Sequence, residues 1–87
     1  MSTTDPIDAE LDATGLLCPL PVLKARKRLS NLGHGALLMV RADDPAARVD
    51  FPHFCNEQGH ALVSQADEPD GVMTFLIRKG GPTRDAG

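Results

Sequence analysis

An amphipathic helix pattern between two strand-like segments constrains the fold of this chain more than any other feature. In residues 19–32, apolar side chains recur at spacings of three and four, which describes one face of a helix. A weak strand is predicted before it, over 9–15, and an apolar strand after it, over 36–42. Two strands that are joined by a helix in this way lie parallel in one sheet, and the connection between them is right-handed. The apolar run of 36–42 predicts a central strand that is covered on both faces.

A proline interrupts the second helical segment. Asp43-Asp44-Pro45 favours a helix start, because a carboxylate can cap a helix and proline suits its first position. In a straight helix over 45–58, Pro52 would remove one hydrogen bond and its ring would clash with the preceding turn. We therefore expect a short turn at 45–49 and a second helix from Asp50, ending at Gly59. Its predicted apolar face consists of Phe51, Phe54 and Cys55.

The last third of the chain predicts a hairpin. Segments 61–67 and 72–78 are strand-like, and the proline and glycine between them suit a turn. The order β-α-β-α-β-β predicts the α/β class, with a four-stranded mixed sheet and two helices packed on one face. We expect a single domain over residues 9–79, a mobile leader at 1–8 and a flexible tail at 80–87.

Composition excludes several classes of function. Twelve acids against nine bases give a net charge of −3, whereas a dedicated nucleic-acid binder is normally basic. Trp and Tyr are absent, so aromatic platforms for single-stranded nucleic acid are lacking. No stretch approaches the roughly 20 apolar residues of a membrane span. The polar, acidic start does not fit a signal peptide, so we expect a cytoplasmic protein with reduced cysteines.

The chemically informative residues lie where the first strand meets the first helix. A residue before proline is pushed out of the helical region, so Cys18 is expected at the N-cap, with Pro19 and Pro21 in the first turn. Gly15 supplies the preceding turn, and the Leu20 N–H is expected to reach the Cys18 sulfur. The helix dipole then predicts a lowered pKa for this thiol. Such a thiol suits attack on a sulfane sulfur and carriage as a persulfide.

The cysteines and histidines also have simpler, structural interpretations. Cys18 could be a small apolar side chain at a helix start, and Cys55, on an apolar face, is predicted to be a buried structural residue. If Cys55 were instead a resolving thiol, a disulfide with Cys18 would need Cα atoms within about 7 Å. A metal site is not predicted, because His34, His53 and His60 lack the spacings of a zinc site.

A cluster of basic residues follows the cysteine. Lys24, Lys27 and Arg28 are predicted to flank the route to Cys18, where they would steer an acidic partner protein. Lys24 is close enough in sequence to favour the thiolate. The alternative is an ordinary solvated helix face.

The end of this first helix is also marked in the sequence. Gly33 is expected to end it in a left-handed conformation.

Several motifs in order resemble one known family. Gly15-Leu16-Leu17-Cys18-Pro19-Leu20-Pro21-Val22, with Lys24 and Arg28, resembles the signature of the TusA (SirA-like) sulfur-carrier family. Further matches are Asp43-Asp44-Pro45-Ala46, Asp50-Phe51-Pro52, Phe54-Cys55, His60, Leu62 and Leu76-Ile77-Arg78-Lys79-Gly80-Gly81. The resemblance covers about residues 10–81 and implies a two-layer α/β sandwich.

The resemblance also implies a function. It implies a sulfurtransferase that works as a carrier, in which a cysteine desulfurase loads Cys18 and a sulfur-relay acceptor protein empties it. The best-known branch of the family serves 2-thiouridine in tRNA, and relatives in sulfur-oxidising organisms serve another pathway. We expect no cofactor, no direct contact with nucleic acid or membrane, and no small-molecule pocket. A regulatory or interaction module of the same fold is the alternative, and in it Cys18 would be dispensable.

Overall fold

Two helices and four strands follow one another in the predicted order. The protein is described from a computed structural model over residues 6–80, so 1–5 and 81–87, within the predicted leader and tail, lie outside the described residues. The elements are β1 (Ala9–Asp12), α1 (Leu20–Ser30), β2 (Leu37–Ala42), α2 (Ala47–Gln58), β3 (Ala61–Asp67) and β4 (Met73–Arg78). Neither helix is long and apolar enough to cross a membrane.

The four strands form one mixed sheet in the order β1-β2-β4-β3. β1 pairs with β2 in parallel, with Leu11 opposite Val40, and β2 pairs with β4 in the antiparallel sense. β3 and β4 form the predicted hairpin, whose turn contains Gly71 at φ +85°. The ladder between β3 and β4 is irregular between Leu62 and Ser64. The predicted fold class is therefore confirmed.

Both helices pack on the same face of this sheet. Leu29 of α1 and Phe51 of α2 are buried in one cluster with Val40 and Phe75 of the sheet. The rings of Phe51 and Phe75 stack with their centroids 4.6 Å apart. Each fully buried side chain of this size stabilises the fold by about 1.5–3 kcal/mol relative to exposure. This cluster fixes α2 over β4 and β3 and so sets where the start of α2 meets the loop that follows β1.

The opposite face of the sheet is covered at its centre without helices. Leu37 alternates with the helix-facing Leu38, yet it is only 2% exposed. Leu76, on the same outer face, is 8% exposed. Arg78 lies opposite Leu37 in the ladder, and its guanidinium donates to the Gly35 carbonyl at 3.0 Å. The prediction of a central strand covered on both faces is confirmed.

The separate turn at 45–49 and the helix start at Asp50, both expected because of Pro52, are wrong. α2 is one continuous helix from Ala47 with this proline inside it. Its first turn is tightened, with the Arg48 N–H donating to the Pro45 carbonyl at 3.1 Å. Pro52 has no N–H and costs the helix one hydrogen bond, worth about 0.5–1.5 kcal/mol net. Continuing the helix back to Ala47 adds this buried residue to the face formed by Phe51 and Phe54, and it keeps the hydrogen bonds of the first turn, which together offset that loss.

The two predicted glycine stops have different outcomes. Gly59 ends α2 in the left-handed conformation at φ +77°, as predicted. Gly33 is not left-handed, because α1 already ends at Ser30 and the Asn31 N–H donates to the Arg28 carbonyl at 3.1 Å. This bond satisfies a terminal carbonyl without a positive φ.

Candidate functional site

Cys18 lies in the loop between β1 and α1, one residue further from the helix than the sequence suggested. Pro19 occupies the N-cap, Pro21 lies buried in the first turn, and the Cys18–Pro19 peptide is cis. The Leu20 N–H donates to the Leu17 carbonyl at 2.9 Å. The prediction that Cys18 caps the helix and accepts from Leu20 is therefore wrong, because the backbone of Leu17 takes that donor.

Two carboxylates from the end of β2 hold this loop. Asp43 accepts from the Gly15 N–H at 2.9 Å, and Asp44 accepts from the Cys18 N–H at 2.6 Å. β1 and β2 are parallel, so their carboxyl ends meet at one edge of the sheet and bring these residues together. Gly15 has φ +82° and supplies the predicted turn. Hydrogen bonds from the N–H groups of Cys18 and Ala46 lower the pKa of Asp44 and keep it ionised.

The sulfur of Cys18 faces a third carboxylate. Cys18 is exposed, as predicted, and its thiol donates to Oδ2 of Asp50 across 2.7 Å. This hydrogen bond, then desolvation, then the negative charges of Asp50 and Asp44 raise the pKa of the Cys18 thiol above its ordinary value. The predicted lowering is wrong, because Cys18 lies outside the helix N-cap and beside two carboxylates. At neutral pH the resting group is a hydrogen-bonded thiol.

Cys18 borders a depression of about 300 Å³ between the two helices. Pro19 and Val22 form the α1 side, and His53 and Phe54 belong to the α2 side. The sequence did not predict this depression, which is at the small end of the range for ligand pockets. It is large enough for a peptide segment or side chain of a partner protein to approach the sulfur.

The predicted basic residues lie together, but outside the depression that Cys18 borders. Lys24, Lys27 and Arg28 are exposed and line a different groove, beside Leu11 of β1. Positions three and four apart share a helix face, which explains the grouping. Arg26 lies on another side of α1, in a groove with Lys79. The charges that act on Cys18 are carboxylates, so the predicted help from Lys24 to the thiolate is wrong.

Four exposed apolar residues, which we call the apolar collar, belong to the segments that carry Cys18 and its partner Asp50. The collar consists of Leu17, Leu20, Leu23 and Val49. Leu17 and Val49 are each 71% exposed, although both are large apolar side chains. Leu20 is among the residues that the sequence singled out, and the structure places it in this collar. Large apolar side chains that stay exposed in the segments next to a reactive side chain are typical of protein–protein contact sites.

Cys55 and His60 are packed within the fold. Cys55 is 2% exposed and is a free thiol, which confirms its predicted burial. His60 packs its ring against Phe54, and its Nδ1 accepts from the Gly80 N–H at 3.0 Å. Between residues 6 and 80, no three His, Cys, Asp or Glu side chains form a group that could hold a metal ion.

Sequence reasoning missed Asp50 and the loop-holding role of the Asp43-Asp44 pair. All three were interpreted only as helix-start residues. A signal was available for Asp43 and Asp44, because residues after parallel strands gather at one edge of a sheet, where sites form. For Asp50 the signal was its place in the matched segment Asp50-Phe51-Pro52, but its contact with Cys18 depends on how α2 packs.

Comparison with known proteins agrees with this geometry. The chain matches the family model for sulfurtransferase TusA over residues 9–79. It is 49% identical over 76 residues to the sulfur carrier protein TusA of Pseudomonas paraeruginosa, which covers 87% of this chain and 95% of that protein. It is 50% identical over 72 residues to the protein of the same name from Pseudomonas putida strain W619, which covers 83% of this chain and 89% of the other.

A solved structure shows the same architecture. The crystal structure of the SirA-like protein from Desulfitobacterium hafniense matches with a TM-score of 0.75 at 29% identity. The match covers 83% of this chain and 97% of that one. The Cys-Pro-Leu-Pro segment thus stands in the fold and in the sequence context that its resemblance implied. With a family model that spans most of its length, this chain belongs to the TusA family of sulfur carrier proteins.

Proposed function

We propose that this protein accepts a sulfane sulfur from a cysteine desulfurase as a persulfide on Cys18 and delivers it to an acceptor protein. The observation that carries the proposal is an exposed, free thiol at the motif of a sulfur-carrier family. Cys55, the other thiol, is buried in the core and is not accessible to a partner.

The transfer needs no cofactor, oxidant or reductant. The Cys18 sulfur attacks the terminal sulfur of the donor's persulfide. A sulfur–sulfur bond forms to Cys18 while the bond in the donor breaks, and the donor cysteine leaves with the electron pair. The proton given up by Cys18 goes to that leaving thiolate. The same exchange with an acceptor thiol returns Cys18 to its empty state.

The residues around Cys18 position it for this exchange. Gly15 forms the turn, the Leu20 N–H closes the next turn onto Leu17, and Pro19 and Pro21 set the start of α1. The apolar collar suits large protein partners because it is exposed. The same holds for the groove lined by Lys24, Lys27 and Arg28, which we call the basic groove. We place the acceptor in a cytoplasmic relay toward 2-thiouridine in tRNA, because almost half of the residues are identical to those of TusA sulfur carriers.

Mass spectrometry tests the chemistry. The protein is incubated with a cysteine desulfurase and cysteine, then digested with trypsin. We expect one added sulfur atom on the peptide that ends at Lys24, which contains Cys18, and none on the peptide that contains Cys55. Sulfur on the Cys55 peptide, or on neither, contradicts the proposal. The pathway is tested in cells that lack the carrier, where the wild-type protein should restore 2-thiouridine and Cys18→Ser should not.

Charge reversal in the basic groove should slow loading. For Lys24→Glu or Arg28→Glu we expect a rate up to about tenfold lower at low salt, because these charges steer an acidic surface of the donor. The difference should shrink at high salt, since exposed charges are screened over about 8 Å at physiological ionic strength. Arg26→Glu, on another side of the same helix, is the matched control. Equal loading rates for all variants would assign these residues to a solvated face.

A further inference from the structure

We infer that Asp50 is a positioning residue that holds the Cys18 side chain only while the carrier is empty, and that loading with sulfur breaks this contact. The inference rests on the proposed function, because it concerns the same sulfur. It assigns to Asp50 a role in distinguishing the empty carrier from the loaded one.

The argument begins with the donor atom of the contact. Sγ of Cys18 lies 2.7 Å from Oδ2 of Asp50, closer than a van der Waals contact between sulfur and oxygen, so the approach is favourable only with the thiol proton between the two atoms. In a persulfide, Sγ is bonded to Cβ and to a second sulfur and carries no hydrogen. The donor therefore disappears on loading, whatever the protonation state of the terminal sulfur. Two electron-rich atoms then face each other at a distance that only a hydrogen bond makes favourable.

The charges around the site also favour loss of the Cys18–Asp50 contact on loading. A persulfide is a stronger acid than a thiol, so loading brings a negative charge to a sulfur that already faces Asp50 and Asp44. From α2, His53 and Glu57 also line the depression, and the basic residues Lys24, Lys27 and Arg28 of α1 line the separate groove. Carboxylates thus outnumber cations beside the sulfur.

Loading has a direct consequence for the partners. In the empty state, the Cys18 side chain is held against the first turn of α2 by Asp50. In the loaded state it turns away from α2 into solvent, which its exposed position permits. An acceptor therefore meets a persulfide that is free of the contact with Asp50, whereas a donor meets a thiol held by it.

Crystal structures of the wild-type protein test the loaded state. Methyl methanethiosulfonate converts Cys18 to a methyl disulfide and releases methanesulfinate, which gives an uncharged mimic whose Sγ has no hydrogen. We expect the Cys18–Asp50 contact in the empty crystal and its loss in the modified one. A modified structure that keeps Sγ within hydrogen-bonding distance of Asp50, or an empty one that lacks the contact, overturns the inference.

Alkylation kinetics test the empty state. The rate with neutral iodoacetamide is followed against pH on the Cys18 peptide. In Asp50→Ala and Asp50→Asn the midpoint should move to lower pH, because the carboxylate that disfavours the thiolate is gone. Glu10→Gln removes the same charge from exposed β1 and should match the wild type. Coincident profiles for the wild type and both Asp50 variants overturn the inference. Neither experiment uses a sulfur donor, so failure of the carrier function appears separately, in the desulfurase assay.

Discussion

Cys18→Ser should lose all sulfur loading and still melt within about 4 °C of the wild-type protein. Loading fails because a serine hydroxyl cannot attack a sulfane sulfur and form a persulfide. The fold should tolerate the change, since an exposed side chain usually alters stability by less than about 0.5 kcal/mol. Mass spectrometry after incubation with desulfurase measures the first effect, and thermal unfolding followed by circular dichroism measures the second.

The outcome also separates the two functional classes that share this fold. Full activity of Cys18→Ser in cells that depend on the protein would mean that the cysteine is dispensable. The chain would then act as a regulatory or interaction module, and the apolar collar would become its principal functional feature.

Cys55→Ser should show the opposite behaviour, with a lower melting temperature and intact sulfur transfer. The substitution places a hydroxyl among the apolar side chains around Phe51 and Phe54, at a cost of about 1–3 kcal/mol if the hydroxyl finds no hydrogen-bond partner. In a domain of this size, each 1 kcal/mol lowers the melting temperature by about 4–8 °C. Transfer is measured at a temperature at which the variant is still folded. A variant that melts like the wild type but cannot pass on its sulfur would make Cys55 a second working thiol.

The pH dependence of stability provides an independent check on Cys55. Burial raises the pKa of its thiol from 9.0 to about 11, so the unfolded chain loses this proton first as the pH rises. The unfolded state then binds fewer protons than the native state, and the free energy of unfolding falls between pH 9.0 and about 11. Serine does not titrate there, so the difference between wild type and Cys55→Ser should shrink across this window. A constant difference would contradict burial of the thiol.

Local sequence patterns were sufficient to predict most of the helices, strands and turns. The spacing of apolar residues along α1 and the proline–glycine turn before β4 each act over a few residues, and both features appear where they were predicted. The helix break at Pro52 failed for a non-local reason. Ala47 and Phe51 of α2 are buried in one cluster with strands that are distant in sequence, and this packing offsets the local cost of the proline.

The candidate site shows the same division. The motif around Cys18 identified the exposed thiol, because a residue before proline is locally kept out of the helix. The chemistry of that thiol depends on Asp44 and Asp50, which lie 26 and 32 residues further along the chain. The sign of the pKa shift could not be predicted from a motif that contains neither carboxylate. Sequence spacing likewise grouped the basic residues on one face without showing that this face lines a groove separate from the depression beside the sulfur.

The irregular ladder at β3 affects how copies of this protein meet one another. β3 is an edge strand, and a regular edge offers unpaired N–H and C=O groups to which a strand from another molecule can add. The irregularity between Leu62 and Ser64 interrupts that regular row of groups. The other edge, β1, has only four residues, and the acids Glu10 and Asp12 are two of them. Both edges therefore disfavour strand addition and aggregation, which suits a small protein that diffuses between a donor and an acceptor.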